Sequence, residues 1–369
     1  MKHIERNNIP TELYSMPVVI YGGGYTGRLI IELLTQNGVQ IKCIIDDNER
    51  LQKTYIENIE VVSFQQFKEY SQKFDQTAVI LATIYGKTVL KKLQFLDGIS
   101  VYELYDWYMD LSGNKNRVEE YIQDVDKVEN MKEQIRRLKD RLADEKSRST
   151  LEGIIRYLDT KDINVLSEVC VEDEQYFIPE IKKAIKSVLH IIDAGAYRGE
   201  LLQNFKNNNI AFEKWYCFEA DKENFEYLLE QSNNSCLKDG RQICINKGLW
   251  SKSGQLYFES GKGTESKIVP YETNDVIDVV SIDDYLENAN CNFIKMDIEG
   301  AELPALQGGI KLIRKERPIL AISIYHSLDD FWQIPKYLMQ ELDSYRYYIR
   351  HHSLIFGETV LYGIPCECE

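Results

Sequence analysis

Acidic residues and glycines recur where predicted strands end in the second half of the sequence. Asp193 and Gly195 follow the apolar segment VLHII, and Gly199 precedes the helix-like segment LLQNF. Glu219 ends the next predicted strand, 26 residues after Asp193. An acid at this point can accept two hydrogen bonds from ribose hydroxyl groups, and glycine lets the backbone approach a ligand closely. The spacing therefore indicates a nucleoside-binding site.

The loop after the first of these strands lacks the third glycine that helps nucleotide-binding loops to hold a pyrophosphate. S-adenosylmethionine carries a ribose and an amino acid but no phosphate, so it matches a loop of this kind. We predict that this cofactor binds here. The loop residues Ala196 and Tyr197, and Ala220 after Glu219, should line the same site.

Three more residues are predicted to surround the cofactor. Gly248 and Leu249 follow the third strand of this half, where the adenine ring normally lies, and should contact it. Tyr176 precedes the first strand, in the segment EQYF. Its side chain could cover the cofactor or could be part of the core, and the sequence leaves both alternatives open.

The acceptor side of the predicted site contains a histidine and acids at strand ends. Asp297 and His326 end the fourth and fifth predicted strands. We predict His326 as the general base for a hydroxyl acceptor, because imidazole has an ordinary pKa of about 6.5. Asp297 is expected beside the cofactor, where it could orient His326, contact the acceptor or bind Mg²⁺, although no metal ligand set is assigned. Glu302 is expected to cap the following helix and to face the solvent.

These residues need a parallel sheet whose strands end at one edge. From about residue 151, strand and helix signals alternate, and the strands are VLHIIDAG, KWYCFEAD, RQICINKGLW, NFIKMDIEG and PILAISIYH. YRYYIRHH and ETVLYGIP form a final antiparallel pair. Five crossover strands followed by a hairpin have the order of a class I methyltransferase sheet, which is a doubly wound α/β fold. In such sheets, ligands bind beyond the carboxyl ends of the strands.

An ordered set of motifs carries a family resemblance. The motifs are DAGAYRGE, CFEAD, GLWSKSGQLYF, VVSIDDYL, FIKMDIEGAELPALQGG and ISIYH, followed by DFWQIPKYL, YRYYIRHHS and ETVLYGIP. Together they make about residues 145–369 similar to the FkbM-type methyltransferases. The resemblance implies a class I fold, S-adenosylmethionine as methyl donor and O-methylation, often of sugars or secondary metabolites. CFEAD departs from many members, in which a proline follows the glutamate, and this affects only the local turn.

A second glycine-rich segment, VVIYGGGYTGRLI, lies near the start of the sequence. Gly22, Gly24 and Gly27 have the G-x-G-x-x-G spacing between a predicted strand and a helix, and Asp46 ends the next strand. Residues 1–112 are therefore predicted to be a smaller Rossmann-like domain that binds NAD or a UDP-sugar. The segment resembles the amino-terminal domains of PglD-type sugar acetyltransferases, which hold nucleotide-sugars. A purely structural domain is the alternative, because no catalytic set follows the glycines.

The segment between the two domains, residues 113–150, is highly charged and predicted to form a helical linker. Tyr121, Val128, Ile135 and Leu142 recur every seven residues. This stripe could join two copies of the chain in a homo-oligomer, or it could lie on its own domain. Residues 151–369 then form the methyltransferase domain.

Composition limits the partners and the compartment. The 369 residues contain 44 lysines and arginines against 59 aspartates and glutamates, a net charge of −15. This charge disfavours general binding to nucleic acids or anionic membranes. No apolar run approaches the length of about 18 residues that a membrane-spanning helix needs, and the first residues lack an apolar signal core. The eight cysteines form no C-x-x-C pair, which indicates reduced thiols in a cytoplasmic protein.

The sequence thus favours a cytoplasmic S-adenosylmethionine-dependent O-methyltransferase. The expected acceptor is a hydroxyl group of a sugar, a nucleotide-sugar or a related small metabolite, as in polysaccharide biosynthesis. One alternative is an enzyme that binds or modifies a nucleotide-sugar at the amino-terminal glycines. The other is a non-catalytic assembly subunit of a polysaccharide pathway, joined to its partners through the helix predicted over residues 113–150.

Overall fold

The structure, a computed structural model, divides into two units. It describes residues 2–3, 9–49, 51–73, 75–82, 86–103, 125–160, 162–171, 175–199, 201–234, 241–260, 266–354 and 356–368. The first unit comprises Met1–Val125 and Ser353–Ile355, and the second comprises Asp126–His352 and Phe356–Glu369.

The first unit is built on one sheet. Its described strands are β1 (Lys2–His3), β2 (Val18–Tyr21), β3 (Ile41–Ile45), β4 (Tyr55–Ile56), β5 (Ile59–Val62), β6 (Thr77–Leu81) and β7 (Ile99–Glu103). They lie in the order β1-β7-β6-β2-β3-β5-β4, and each described pair is parallel except β4 with β5. The described helices are α1 (Tyr25–Gln36), α2 (Phe64–Ser71) and α3 (Gly86–Leu93), with a 3₁₀ turn at Thr11–Tyr14. The strand order reverses at β2, as in a doubly wound nucleotide-binding sheet.

The central strands of this sheet fill two hydrophobic clusters, because successive side chains of a strand point to opposite faces. Val18, Ile20 and Ile80 lie in one cluster, and Val19 and Val79 lie in the other. The apolar runs VVIY and TAVIL are therefore buried on both faces, as expected of central parallel strands. This unit therefore has the α/β fold class that the sequence predicts, while its role as a separate nucleotide-binding domain stays a prediction.

The second unit contains two sheets. Its described strands are β8 (Leu189–Ala194), β9 (Phe212–Phe218), β10 (Gln242–Ile245), β11 (Gly248–Leu249), β12 (Gly254–Glu259), β13 (Lys267–Ile268), β14 (Asp275–Val280), β15 (Phe293–Met296), β16 (Ile319–Ser323), β17 (Tyr345–His351) and β18 (Thr359–Pro365). The larger sheet has the order β10-β9-β8-β15-β16-β18-β17, and β18 is antiparallel to both neighbours. The smaller sheet has the order β11-β14-β12-β13. The larger sheet has the predicted class I methyltransferase order.

Helices flank these sheets. Those that the structure describes are α4 (Val125–Leu138), α5 (Glu145–Thr160), α6 (Ile163–Val169), α7 (Pro179–Ala184), α8 (Leu201–Asn207), α9 (Lys222–Asn234), α10 (Ile282–Tyr285), α11 (Glu302–Gln307), α12 (Ile310–Glu316) and α13 (Asp330–Glu341), with 3₁₀ turns at Lys139–Arg141 and Cys366–Cys368. None of the described helices has the length and apolar character needed to span a bilayer. The described cysteines are free thiols.

The heptad stripe of the predicted linker is buried within the chain. Met131 and Ile135 on α4 are 0% exposed, and Val128 and Leu142 are also buried. Tyr121 lies outside the described residues. The side chains that would form an intermolecular seam are thus already packed in the folded chain.

Ion pairs attach this helical segment to the second unit. Lys132 of α4 pairs with Asp159 of α5. Arg350 of β17 is 0% exposed, and its guanidinium lies 2.6 Å from Asp144, which precedes α5. These contacts make α4 and α5 part of the second unit, which carries the larger sheet. The second unit begins at Asp126.

Candidate active site

The carboxyl ends of the five described parallel strands, β10, β9, β8, β15 and β16, meet at one edge of the larger sheet. Asp193 of β8 lies in register with Cys217 of β9 and with Lys295 of β15. The segments that follow these strands therefore begin side by side. Glu219 follows β9, and Asp297 follows β15, so both start next to the loop after β8.

The loop between β8 and α8 is fixed by hydrogen bonds to the end of β9. The N–H groups of Gly195 and Ala196 donate to the last carbonyl of β9, at 3.0 and 2.9 Å. The N–H of Tyr197 donates to Oε2 of Glu219 at 2.8 Å. Gly195 has a φ of +74°, and a β-carbon there would lie 1.8 Å from the carbonyl oxygen of Asp297. The loop can pack against the end of β15 only with glycine at this position.

Glu219, which is predicted to bind the ribose, is held by two backbone groups. Its two carboxylate oxygens accept the backbone N–H groups of Tyr197 and Asp221, at 2.8 and 2.9 Å. The residue is 8% exposed. Burial raises the pKa of Glu219 to about 7, although the two N–H donors act in the opposite direction. Its negative charge therefore develops as the pH rises through neutrality.

The predicted adenine side lies next to Glu219. A β-carbon on Gly248 would lie 3.0 Å from Val279 and 3.8 Å from the β-carbon of Ala220, so β11 packs closely beside the end of β9. Leu249 is 2% exposed and belongs to the core. Gly199 has a φ of +83° where the loop turns into α8. The adenine contacts of Gly248 and Leu249 remain predictions.

Asp193 lies beneath the edge of the sheet, in contact with a lysine. Its carboxylate is 0% exposed, and Oδ1 lies 3.1 Å from Nζ of Lys295. The indole N–H of Trp215 donates to Oδ2 at 3.2 Å. Lys295 also donates to the carbonyls of Ala194 and Gly195. Asp193 thus holds Lys295 and the loop in place, and its predicted direct contact with the cofactor stays a prediction.

Asp297 is the centre of a hydrogen-bonded group. Its Oδ2 accepts the hydroxyl of Tyr176 at 2.9 Å, and its Oδ1 accepts that of Tyr325 at 3.3 Å. Nε2 of His326 lies 3.3 Å from Oδ1. Burial alone would raise the pKa of Asp297, but His326 and Lys295 lower it, so the carboxylate is ionised. The predicted residues Tyr176, Asp297 and His326 are therefore close together.

His326 lies among carboxylates. Its Nδ1 is 3.0 Å from Oε1 of Glu302, and its Nε2 is 3.5 Å from Oε1 of Glu299. Burial would lower the pKa of His326, but Glu302 and Glu299 raise it well above its ordinary value. A protonated imidazole donates hydrogen bonds and cannot accept a proton, which opposes the predicted role of His326 as the base.

Glu302 differs from its sequence prediction. It is 0% exposed, so the expectation that it faces the solvent was wrong. Its oxygens accept the N–H groups of Ile298 at 2.7 Å and Gly300 at 3.0 Å, while Oε1 also faces His326. These donors draw the carboxylate inward, and it caps the turn that precedes α11.

Lys295, Tyr325 and Glu358 were missed by sequence reasoning. Glu358 accepts the amide of Gln175 at 2.7 Å and the hydroxyl of Tyr325 at 3.3 Å, and burial raises its pKa to about 7. A charge inside the apolar strand FIKM was the available signal for Lys295, since buried charges need partners. Glu358 has no comparable local signal, because it enters the site from the turn before β18.

The amino-terminal glycines form a tight turn between β2 and α1. A β-carbon on Gly22 would lie 2.6 Å from the carbonyl oxygen of Ala82, and one on Gly27 would lie 2.0 Å from that of Gly22. Both glycines are therefore needed for packing. A β-carbon on Gly24 would have no described neighbour within 4 Å.

Asp46 reaches this turn from the end of β3. Its Oδ2 accepts the N–H of Gly23 at 2.6 Å, and its Oδ1 accepts the N–H of Asn48 at 2.8 Å. The predicted nucleotide-binding residues are thus close together, but packing and internal hydrogen bonds account for much of their spacing.

Comparison with known proteins relates the chain to methyltransferases. Residues 193–350 match the family model of the methyltransferase FkbM domain. The methyltransferase FkbM from Methylobacillus flagellatus KT is 23% identical over 96% of this chain and 94% of that chain, with a TM-score of 0.56. A SAM-dependent methyltransferase from Aquifex aeolicus is 16% identical over 55% and 98% of the two chains, with a TM-score of 0.30. A UDP-D-quinovosamine 4-dehydrogenase from Vibrio fischeri is 24% identical over 23% and 75%, with a TM-score of 0.22. No curated protein matches the chain.

The strand order of the larger sheet defines a class I methyltransferase fold. Residues 193–350 are an FkbM methyltransferase domain, and the chain is a methyltransferase. The resemblance to FkbM-type methyltransferases is thereby confirmed. Membership of this domain family supports S-adenosylmethionine-dependent methyl transfer in general.

Proposed function

We propose that the protein transfers a methyl group from S-adenosylmethionine to a hydroxyl group of a sugar, a nucleotide-sugar or a related small metabolite. The observation that carries the proposal is the position of Glu219, at the end of β9 and bonded to the loop after β8. A carboxylate there would accept the ribose hydroxyls, next to a loop without a pyrophosphate-binding glycine set. The match to the FkbM methyltransferase domain supports the reaction type.

The cofactor is proposed to lie along the loop after β8. Gly195, Ala196 and Tyr197 would line its methionine and ribose parts, and Ala220 and Gly248 would lie beside adenine. Tyr176 would cover the methionine part, because its hydroxyl bonds to Asp297 and Nζ of Lys295 lies 5.6 Å from its ring centre. Asp193 would act indirectly, by holding Lys295.

The acceptor is proposed to lie beside Asp297 and His326. Methyl transfer requires the acceptor oxygen to lie in line with the sulfur–methyl bond, and this alignment supplies much of the catalysis. The ionised Asp297 would accept the hydrogen bond of the acceptor hydroxyl. His326 would fix Asp297 through the contact at 3.3 Å.

The substrate assignment is tested with labelled S-adenosylmethionine and a panel of sugars and nucleotide-sugars, followed by mass spectrometry. We expect one acceptor to gain one methyl group on oxygen. Methylation on nitrogen or carbon alone would contradict the proposal. A nucleotide-sugar acceptor would connect the reaction with polysaccharide assembly in the cytoplasm.

The acceptor end is tested with His326→Ala. We expect S-adenosylmethionine to bind as before and turnover to fall by about 100-fold, because Asp297 would lose the contact that fixes it beside the acceptor. His190→Ala is the control, because His190 is a partly exposed histidine paired with Glu213 on the surface of the same sheet. Full turnover in the His326 variant would remove this residue from the mechanism.

A second proposal concerns the amino-terminal unit, which would bind a nucleotide-sugar or NAD. It is supported by the reversal of strand order at β2, where the Gly22–Gly27 turn lies. Calorimetry with UDP-sugars and NAD(H) tests it, with Asp46→Ala as the variant expected to lose binding. An absence of heat with every one of these ligands would end this proposal.

A further inference from the structure

Two chains of hydrogen bonds join the carboxyl groups of Asp297 and Glu358. In the first chain, the hydroxyl of Tyr325 lies 3.3 Å from Oδ1 of Asp297 and 3.3 Å from Oε1 of Glu358. In the second chain, the amide of Gln175 donates to Oε2 of Glu358 at 2.7 Å and to the hydroxyl of Tyr176 at 3.3 Å. Tyr176 in turn donates to Oδ2 of Asp297 at 2.9 Å. The two carboxyl groups are therefore parts of one hydrogen-bonded ring.

The two chains differ in their ability to carry a proton. The amide nitrogen of Gln175 donates to both of its neighbours and has no acceptor capacity, so this chain only holds Glu358 and Tyr176 in place. The hydroxyl of Tyr325 can donate to one carboxyl group while it accepts from the other. Its single proton makes both contacts hydrogen bonds only when one of the two carboxyl groups is protonated. Tyr325 therefore links Asp297 and Glu358 in a way that allows a proton to pass.

The two carboxyl groups differ in their affinity for a proton. Burial would raise the pKa of Asp297, but His326 and Lys295 lower it. Burial and the charge of Asp297 raise the pKa of Glu358 to about 7. Neighbouring carboxyl groups whose pKa values are pushed apart are typical of acid–base sites. Among the described residues, the groups that face Glu358 or lie beside it are Asp297 and Glu299 after β15, Tyr325 and His326 after β16, Gln175 and Tyr176 before α7, and His352 after β17.

The backbone of this ring has an unusual conformation. Glu358 has a φ of +48° and Tyr176 a φ of +71°, in the left-handed region that residues with a side chain rarely adopt. Glu299, two residues after Asp297, has a φ of +55°. Such conformations concentrate at functional sites, where the surrounding structure holds them. This supports a role for Glu358 beyond packing.

We propose that Tyr325 passes the proton of the acceptor hydroxyl from Asp297 to Glu358, a step that rests on the proposed function. As the acceptor oxygen bonds to the methyl carbon, the carbon–sulfur bond breaks with its electron pair on sulfur, and the hydroxyl proton moves to Oδ1 of Asp297. Asp297 then gives this proton to the oxygen of Tyr325 while Tyr325 gives its own to Glu358, so no tyrosinate forms. The sulfonium becomes a neutral thioether and Glu358 a neutral acid, which leaves the total charge unchanged. Glu358 is partly exposed and returns the proton to water.

The test is the pH profile of kcat for the sugar or nucleotide-sugar that the labelled-cofactor panel identifies. Both substrates are saturating, so the effect of Glu219 on cofactor affinity does not enter. Glu358 accepts a proton only when it is ionised, so the kcat of the wild type should fall about tenfold from about pH 8 to pH 6. Glu358→Gln and Tyr325→Phe should each lower kcat by about 100-fold and remove this pH dependence, with S-adenosylmethionine binding unchanged in calorimetry.

The double variant Tyr325→Phe/Glu358→Gln distinguishes a relay from two independent contributions. Residues of one relay act as a unit, so the double variant should be no slower than the slower single variant. Independent contributions would multiply to a loss of roughly 10,000-fold. Tyr337→Phe, in the partly exposed part of α13, and Glu213→Gln are the matched controls and should keep the kcat and pH profile of the wild type. Circular dichroism checks that each variant is folded.

A wild-type kcat that is equal at pH 6 and pH 8 would overturn the relay even if no variant folded. Full turnover or an unchanged pH profile in folded Tyr325→Phe or Glu358→Gln would also overturn it, as would multiplied losses in the double variant. In each of these cases, methylation of a hydroxyl group by the wild type would leave the proposed function intact. A wild type that binds S-adenosylmethionine but methylates no hydroxyl group would end the proposed function, and the relay with it.

Discussion

At the scale of single residues, the site is controlled by buried charges that need partners. Glu219 is bonded to two N–H groups, and Asp193 is paired with Lys295. Their types and positions could be predicted from the strand ends, because those positions are local in sequence. The partners could not, since Lys295 belongs to a strand about 100 residues away in the chain.

The first prediction concerns the pH dependence of cofactor binding. Only ionised Glu219 accepts both ribose hydroxyls, and burial raises its pKa to about 7. The ionised fraction falls about tenfold between about pH 8 and pH 6, so affinity for S-adenosylmethionine should fall by about the same factor. Calorimetric titration across this range measures it.

The Glu219→Gln variant should bind S-adenosylmethionine weakly, and its affinity should no longer depend on pH in this range. Glu213→Gln is the control, because Glu213 lies on β9, the strand that Glu219 follows, and its side chain is 66% exposed. A pH profile shared by wild type and Glu219→Gln would show that another group titrates.

The second prediction concerns the buried ion pair. Lys295→Met leaves Asp193 buried and without its cation, which should lower the free energy of unfolding by about 3–5 kcal/mol. Urea unfolding measures the loss. Adding Asp193→Asn to this variant should restore part of the stability, and the exposed Lys311→Met should change it little. An equal effect of Lys295→Met and Lys311→Met would argue against the pair.

At the scale of elements, the positions of the strands could be predicted from the sequence, but the surfaces against which the helices pack could not. Continuous apolar runs bounded by polar strand ends define β8, β9, β15 and β16 from the sequence. The heptad stripe of α4 fits packing within a chain or between chains equally well. Only the folded chain shows that this stripe is buried, with α4 tied to α5 by Lys132 and Asp159.

The third prediction follows from that burial. Ile135→Ala should lower the free energy of unfolding by about 2–5 kcal/mol, because Ile135 is 0% exposed. Glu133→Ala, on the exposed face of α4, should change it by less than about 1 kcal/mol. Light scattering should give the same molecular mass for wild type and both variants. Conversion of a dimer to a monomer by Ile135→Ala, with no loss of monomer stability, would favour the intermolecular seam.

At the scale of the whole molecule, each unit has its own hydrophobic core. Ile20 and Ile44 belong to a cluster of the first unit, and Trp215 and Phe293 belong to that of the second. The class I strand order belongs to the second unit. A ligand that binds one unit should therefore stabilise that unit first.

The fourth prediction uses this difference. S-adenosylmethionine at about 100 times its Kd should stabilise the second unit by about 2.7 kcal/mol. In differential scanning calorimetry, the midpoint temperature of one unfolding transition should rise when the cofactor is added. Glu219→Gln should abolish this rise. Equal shifts of both units, or none with the wild type, would contradict the assignment of the cofactor to this unit.

The sequence by itself determined the two α/β units, the strands and the acids at their ends, because strand periodicity and strand boundaries are properties of neighbouring residues. It also carried the motifs of the FkbM methyltransferase domain. The tertiary structure alone decided that Asp193 is covered by Lys295, that Glu302 turns inward to His326 and that α4 packs within the chain. Each of these three contacts depends on which distant segment of the chain packs against the residue. Packing and the pairing of buried charges join different elements, so neighbouring residues in the sequence do not determine them.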